Sequence, residues 1–93
     1  MRAGTTVANL LTPRQAADVR RRRLVALRRR AEVAAAAMAA VSSAATIAHC
    51  YESGTRIPGV SRLRARQLIR ANARRALYLS IVVQRITRRF LNG

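Results

Sequence analysis

From Arg62 onward the apolar positions recur in steps that alternate four and three: Ala65, Ile69, Asn72, Ala76, Leu79, Val83, Ile86 and Phe90, with one asparagine in the series. At 100° per residue these positions fall on one stripe of a helix, in the heptad rhythm of a helix–helix seam. The nine arginines between Arg62 and Arg89 all stay off the arc that holds the stripe. The pattern predicts a basic amphipathic helix, apolar along the seam and charged elsewhere. An earlier stretch has a matching rhythm at Leu24, Leu27, Ala31, Ala34, Met38, Val41, Ala45 and Ala48, which predicts a partner seam on a preceding helix.

Local signals set the ends of both helices. Thr12-Pro13-Arg14-Gln15 has a capping threonine, a proline suited to the first helical position, and a glutamine three residues after the cap. No Gly or Pro follows Pro13 until Gly54, so one helix of about 60 Å is expected over 13–53. Ser53 to Gly59 concentrates helix breakers, and 54–60 is expected as a loop. Ser61 then caps a second helix over 61–91, about 45 Å long, with 1–12 as an N-terminal extension and 92–93 as a tail. The expected fold class is all-α, an antiparallel hairpin of two long helices. Alanine seams bring the backbones close but enclose little apolar volume. Ordering the backbone costs about 1–2 kcal/mol per residue, so the hairpin is expected to order fully only against partners.

One stretch of the first helix changes the picture. Val33 to Tyr51 carries no charged residue on any face apart from a neutral His49, and a helix uncharged all round is usually buried all round. The run is close to the ~20 residues that cross a bilayer. It is mostly alanine, however, and includes Ser42, Ser43 and Thr46. Nine arginines precede it and ten follow, so no orientation in a membrane is favoured and one basic flank would have to be translocated. Packing among protein neighbours is the expected burial, with a bilayer as the alternative.

Composition narrows the functions available. In 93 residues there are 19 basic residues, all arginine, against 3 acidic ones, for a net charge of +16; alanine supplies another 19. The length excludes a multidomain enzyme. Three acids, His49 and Cys50 are too few for a metal cluster or a catalytic carboxylate pair, so no enzymatic activity, metal or cofactor is expected. A single cysteine excludes an internal disulfide. Gly54 and Gly59 have phosphate-loop spacing, but Val60 and Ser61 stand where a lysine and a hydroxyl residue are required. The Arg- and Ala-rich first 30 residues resemble an organellar targeting segment, so a mitochondrial location, matrix or inner membrane, is expected.

Charge this large calls for an anionic partner. Arg20, Arg21, Arg22, Arg23, Arg28, Arg29 and Arg30 form two clusters on the first helix, and Arg62, Arg66, Arg70, Arg74, Arg88 and Arg89 line the outer face of the second. Guanidinium forks suit phosphate, and these thirteen are the candidate RNA- or anion-binding residues. The only aromatics are Tyr51, Tyr78 and Phe90; with Phe90 in the seam, a base-stacking platform is not expected, and folded RNA would be recognised by shape. Asn72 is expected to set register or meet a partner, with Asp18–Arg22 and Glu32–Arg28 as ordinary helical pairs.

Small, very basic, helical chains occur among ribosomal proteins and among accessory subunits of organellar membrane complexes, an analogy that assigns no site. The first expectation is a structural component of a large ribonucleoprotein, an organellar ribosomal protein whose partners are rRNA and neighbouring proteins. The alternative is a small accessory subunit of a mitochondrial inner-membrane complex, respiratory or ATP synthase. In that case 33–51 lies in or against the bilayer, and the partners are anionic lipid and membrane-complex subunits.

Overall fold

The computed structural model describes residues 11–91; most of the N-terminal extension and the 92–93 tail lie outside the described residues. Two helices, α1 (Pro13–Glu52) and α2 (Arg62–Ile86), pack side by side, and a π-helical turn, Thr87–Leu91, continues α2. No strand occurs among the described residues. The molecule is a rod of 67 × 22 × 16 Å, which is two helix diameters wide.

Both helix starts are capped by side chains. The Gln15 N–H donates to Thr12 Oγ1 (3.1 Å) and the Thr12 N–H donates to Gln15 Oε1 (2.9 Å), closing a capping box in front of Pro13. At α2 the Arg64 N–H donates to Ser61 Oγ (3.1 Å). α1 ends where Ser53 gives both its N–H (3.0 Å) and its hydroxyl (2.8 Å) to the His49 carbonyl, and Gly54 follows at φ +82°.

The connection is then closed by a turn over Ile57-Pro58-Gly59-Val60, with the Val60 N–H donating to the Ile57 carbonyl (3.1 Å). The Tyr51 hydroxyl donates to the Val60 carbonyl and so ties the end of α1 to the entry of α2. Gly59, at φ +77°, holds the third position of a type II turn, which requires positive φ. A Cβ at Gly59 would meet no atom within 4 Å, so Gly59→Ala carries only a conformational cost, about 1 kcal/mol. Its thermal midpoint is expected to fall by about 4–8 °C; an unchanged midpoint in a circular-dichroism melt would contradict this account of the turn.

On α2 the packed face holds Ala65, Ala76 and Ile86 as buried residues, with Ile69, Asn72, Leu79 and Val83 half-buried between them. Asn72 donates its side-chain amide to the Leu68 carbonyl one turn back (2.9 Å), so this polar group is satisfied within its own helix and not across the seam.

On α1 the packed row lies one residue away from the stripe read from the sequence. Ala26 and Ala40 are buried, and Arg30, Val33, Ala37, Ala44, Ile47 and Tyr51 are half-buried. Leu24, Leu27, Ala31, Met38, Val41 and Ala45 are exposed, Met38 at 69%, while Ala34 and Ala48 are half-buried at the edge. One residue is 100° of rotation. Both rows hold four alanines; the packed one places Ala26 and Ala40 at its buried points, where methyl side chains let the backbones approach, with Val33, Ile47 and Tyr51 half-buried along the same row. No large side chain is fully buried among the described residues.

Phe90 also departs from its expected place, standing 44% exposed. The Thr87 N–H is shared between the Gln84 and Val83 carbonyls, and its hydroxyl donates to the Val83 carbonyl as well (3.0 Å), a local competition that distorts helices. The wider π turn that follows breaks the heptad count. Leu91 becomes the half-buried residue, and Phe90 swings outward.

Candidate functional site

Contacts at the two ends of the rod fix an antiparallel register. Near the loop, Ala48, Tyr51 and Glu52 share a cleft with Arg62, Ala65, Arg66 and Ile69. Further along, Ala34, Ala37, Met38 and Val41 share one with Ser80, Val83 and Gln84. The end opposite the loop, the mouth of the hairpin, brings the two Arg-rich segments together.

At the mouth, Arg21, Arg22 and Arg29 stand around an apolar cleft of about 430 Å³ floored by Val25, Ala26, Ile86 and Phe90. On the other side of Phe90 a second cleft is lined by Val19, Arg22, Arg23 and Arg89. Phe90 and Arg22 belong to both. The Arg89 guanidinium lies 5.4 Å from the centroid of the Phe90 ring, within cation–π range. Because α1 is the longer helix, its first turns project past the end of the π turn and carry Arg14, while Arg21, Arg22 and Arg23 stand beside that turn.

The charge there is almost uncompensated. Arg21 pairs with Asp18 at 3.1 Å on an open surface, the only salt bridge among the described residues. The geometry selects this i, i+3 pair over the Asp18–Arg22 and Glu32–Arg28 pairs expected from spacing. An exposed pair of this kind adds little to stability. Eight arginines from Arg14 to Arg30, with Arg85, Arg88 and Arg89 from the other chain segment, therefore face one carboxylate partner. Arg20, Arg22, Arg23, Arg28, Arg29, Arg88 and Arg89 are exposed, and Arg30 is half-buried beside the seam. Arg62, Arg66, Arg70 and Arg74 are exposed too, but lie toward the loop or mid-rod and do not join the mouth. Arg85, which the sequence reading left out of the site, belongs to the mouth by register.

Comparisons with protein-family models, curated proteins and solved structures find no match. Geometry and charge therefore carry the functional argument alone.

They also bear on the uncharged run. α1 is long and apolar enough to cross a membrane by length and composition, and almost none of its apolar window is buried in the hairpin. Val33–Tyr51 is about 28 Å long at 1.5 Å per residue, with Ser42 at its middle. The register that pairs Val41 with the Ser80–Gln84 zone and Ala48 with the Arg62–Ile69 zone puts Ser42 level with Arg75, Ala76 and Leu77. Arg74 and Arg75 are exposed. Were this hairpin to span a bilayer, both would sit near its midplane, at about 2.5–3.5 kcal/mol each on an insertion scale. The antiparallel partner thus supplies charge at the depth where α1 alone has none.

Proposed function

We propose that this protein is a non-catalytic structural component of a large ribonucleoprotein, an organellar, mitochondrial ribosomal protein that contacts rRNA through its arginine faces. The observation that carries the reading is the arginine-rich half of the rod away from the loop: Arg21, Arg22, Arg23 and Arg29 of α1 meet Arg89 across the clefts at the mouth, with further arginines along both helices and a single exposed carboxylate paired among them. Such a surface is stable beside a polyanion, which replaces mutual repulsion with phosphate contacts and counterion release. The displaced stripe of Leu24, Leu27, Met38 and Val41 adds a second function, docking on protein neighbours in the same particle. This also accounts for a hairpin with so thin a core, which gains its full order in the assembly.

The second reading is a small accessory subunit of a mitochondrial inner-membrane complex, favoured by the length and apolar character of α1 and disfavoured by the depth of Arg74 and Arg75. Fractionation of native organelles separates the two. Release by nuclease and high salt, from a particle of ribosomal size, is the expected result. Retention in the carbonate-washed membrane pellet, indifferent to nuclease, would replace the ribonucleoprotein reading with the membrane one.

A further inference from the structure

We infer that one broad side of the hairpin receives a helix of a neighbouring protein, about five turns long, aliphatic along its middle and acidic at both ends. This rests on the reading that the chain docks in an assembly; it gives the docking a place and the partner a chemistry.

The two broad sides of the rod differ. On one, Ala34, Met38 and Val41 of α1 share a groove of about 360 Å³ with Ser80, Val83 and Gln84 of α2. On the other, Arg22, Val25 and Arg29 stand around Ile86. At 100° per residue the stripe from Leu24 to Ala48 fills one arc of α1 of about 120°, on the grooved side. Its Leu24, Leu27, Met38 and Val41 are exposed, as is Leu77 beside Ser80. The hydroxyls on this side are already spent: Ser80 donates to the Ala76 carbonyl (2.9 Å) and Thr87 to the Val83 carbonyl (3.0 Å). The middle of the face is therefore matched by apolar cover.

Its two ends are matched by something else. Arg20, Arg23 and Arg30 fall within the arc of the stripe, all on the mouth side of Ala31. At the loop end Arg66 shares a cleft with Ala48, and Arg70 follows one turn on. Between these ends the α1 stripe from Ala31 to Ala48, and Ala73, Leu77, Ser80, Gln84 and Thr87 opposite it, carry no charge. Glu52 stands beside Arg66, whereas Asp18 and Glu32 lie outside the arc. An occupant that fits is apolar over about 27 Å and negative at each end, since opposite charges across an interface fix register and like charges reject a partner. RNA would set phosphates against the aliphatic middle. A second copy, laid in either direction, would bring its own end arginines onto these. A planar bilayer meets the two helix ridges; a third helix fits the groove between them and completes a bundle.

The test is fluorescence anisotropy of the full-length chain with a labelled helical peptide of about 20 residues, carrying a leucine stripe between paired glutamates at its two ends, at about 0.15 M salt. In one control peptide lysines replace the end glutamates; in the other, glutamines replace the leucines. The peptide with both features is expected to bind on the order of tenfold more tightly than either control. Met38→Arg is expected to weaken it on the order of tenfold, and Arg70→Ala to narrow the gap between the glutamate and lysine peptides. Arg75→Ala removes the same charge about 160° around α2 from Leu77 and is expected to leave both differences unchanged. Circular-dichroism melts show that each variant is folded.

Equal affinity for the peptide and either control, or indifference to Met38→Arg, would overturn the helix site. A concentration-dependent dimer that Met38→Arg abolishes would assign the face to a second copy, and displacement of the peptide by phosphatidylglycerol vesicles at equal charge would assign it to lipid; either overturns the proposal. No RNA enters this assay, so the ribonucleoprotein reading stands or falls separately, on the organelle fractionation.

Discussion

Reversing two charges at the mouth, Arg22→Glu with Arg29→Glu, is expected to move two observables in opposite directions. Each reversal removes two units, so the net charge falls from +16 to +12, and the new carboxylates stand among arginines whose one carboxylate partner is Asp18. The free chain should therefore melt at a higher temperature than the wild type at low salt, a gain that shrinks as salt screens the repulsion. Affinity for RNA should fall on the order of a hundredfold at about 0.15 M salt, because two phosphate contacts are lost and two repulsions introduced. Under the ribonucleoprotein proposal, incorporation into the particle should fail as well. A residue whose role is structural alone would lower stability and binding together. Unchanged co-sedimentation with RNA, or a lower melting temperature in the doubly reversed chain, would count against the mouth as an anion site.

The second large effect contrasts neighbouring positions on α1. Ala40 is 5% exposed on the packed row, and Met38, two residues earlier, is 69% exposed on the flank. Ala40→Arg forces a guanidinium into the line where the backbones approach most closely, with no carboxylate at hand. Burying an unpaired charge costs about 3–5 kcal/mol, comparable with the whole stability of so small a core. Loss of the cooperative melt is the expected outcome. Met38→Arg should leave helix content and melting temperature within error of the wild type in water, since its side chain already faces solvent. In a bilayer the same substitution would place charge on lipid and prevent insertion. A Met38→Arg chain that folds in water yet no longer enters a membrane fraction would therefore overturn the ribonucleoprotein reading without disturbing the fold.

The legible parts of the fold were those where polar and apolar residues disagree in type. Thr12 with Gln15, Ser61, and the breakers between Ser53 and Gly59 announce helix ends through local chemistry, and the structure uses each of them. On α2 the nine arginines exclude most of the helix surface, which leaves one arc for packing. On α1 between Val33 and Ala48 no charge marks any face, so neighbouring rows carry the same three–four rhythm and the sequence does not choose between them. The mouth was not legible for a different reason. Its arginines were visible singly, but their convergence depends on the antiparallel register, and the exposure of Phe90 depends on a π turn after Thr87 that no heptad count contains.

A seam closed by alanines and one isoleucine has a consequence for the life of the chain in a cell. With no large side chain fully buried among the described residues, the free hairpin opens readily, and proteolysis follows the population of open forms. Each opening offers arginines every few residues to proteases that cut after basic side chains. Copies bound in an assembly would be shielded by their contacts there. Under the ribonucleoprotein proposal, surplus copies would be cleared soon after synthesis, and the amount of the protein would track the number of host particles rather than the rate at which it is translated.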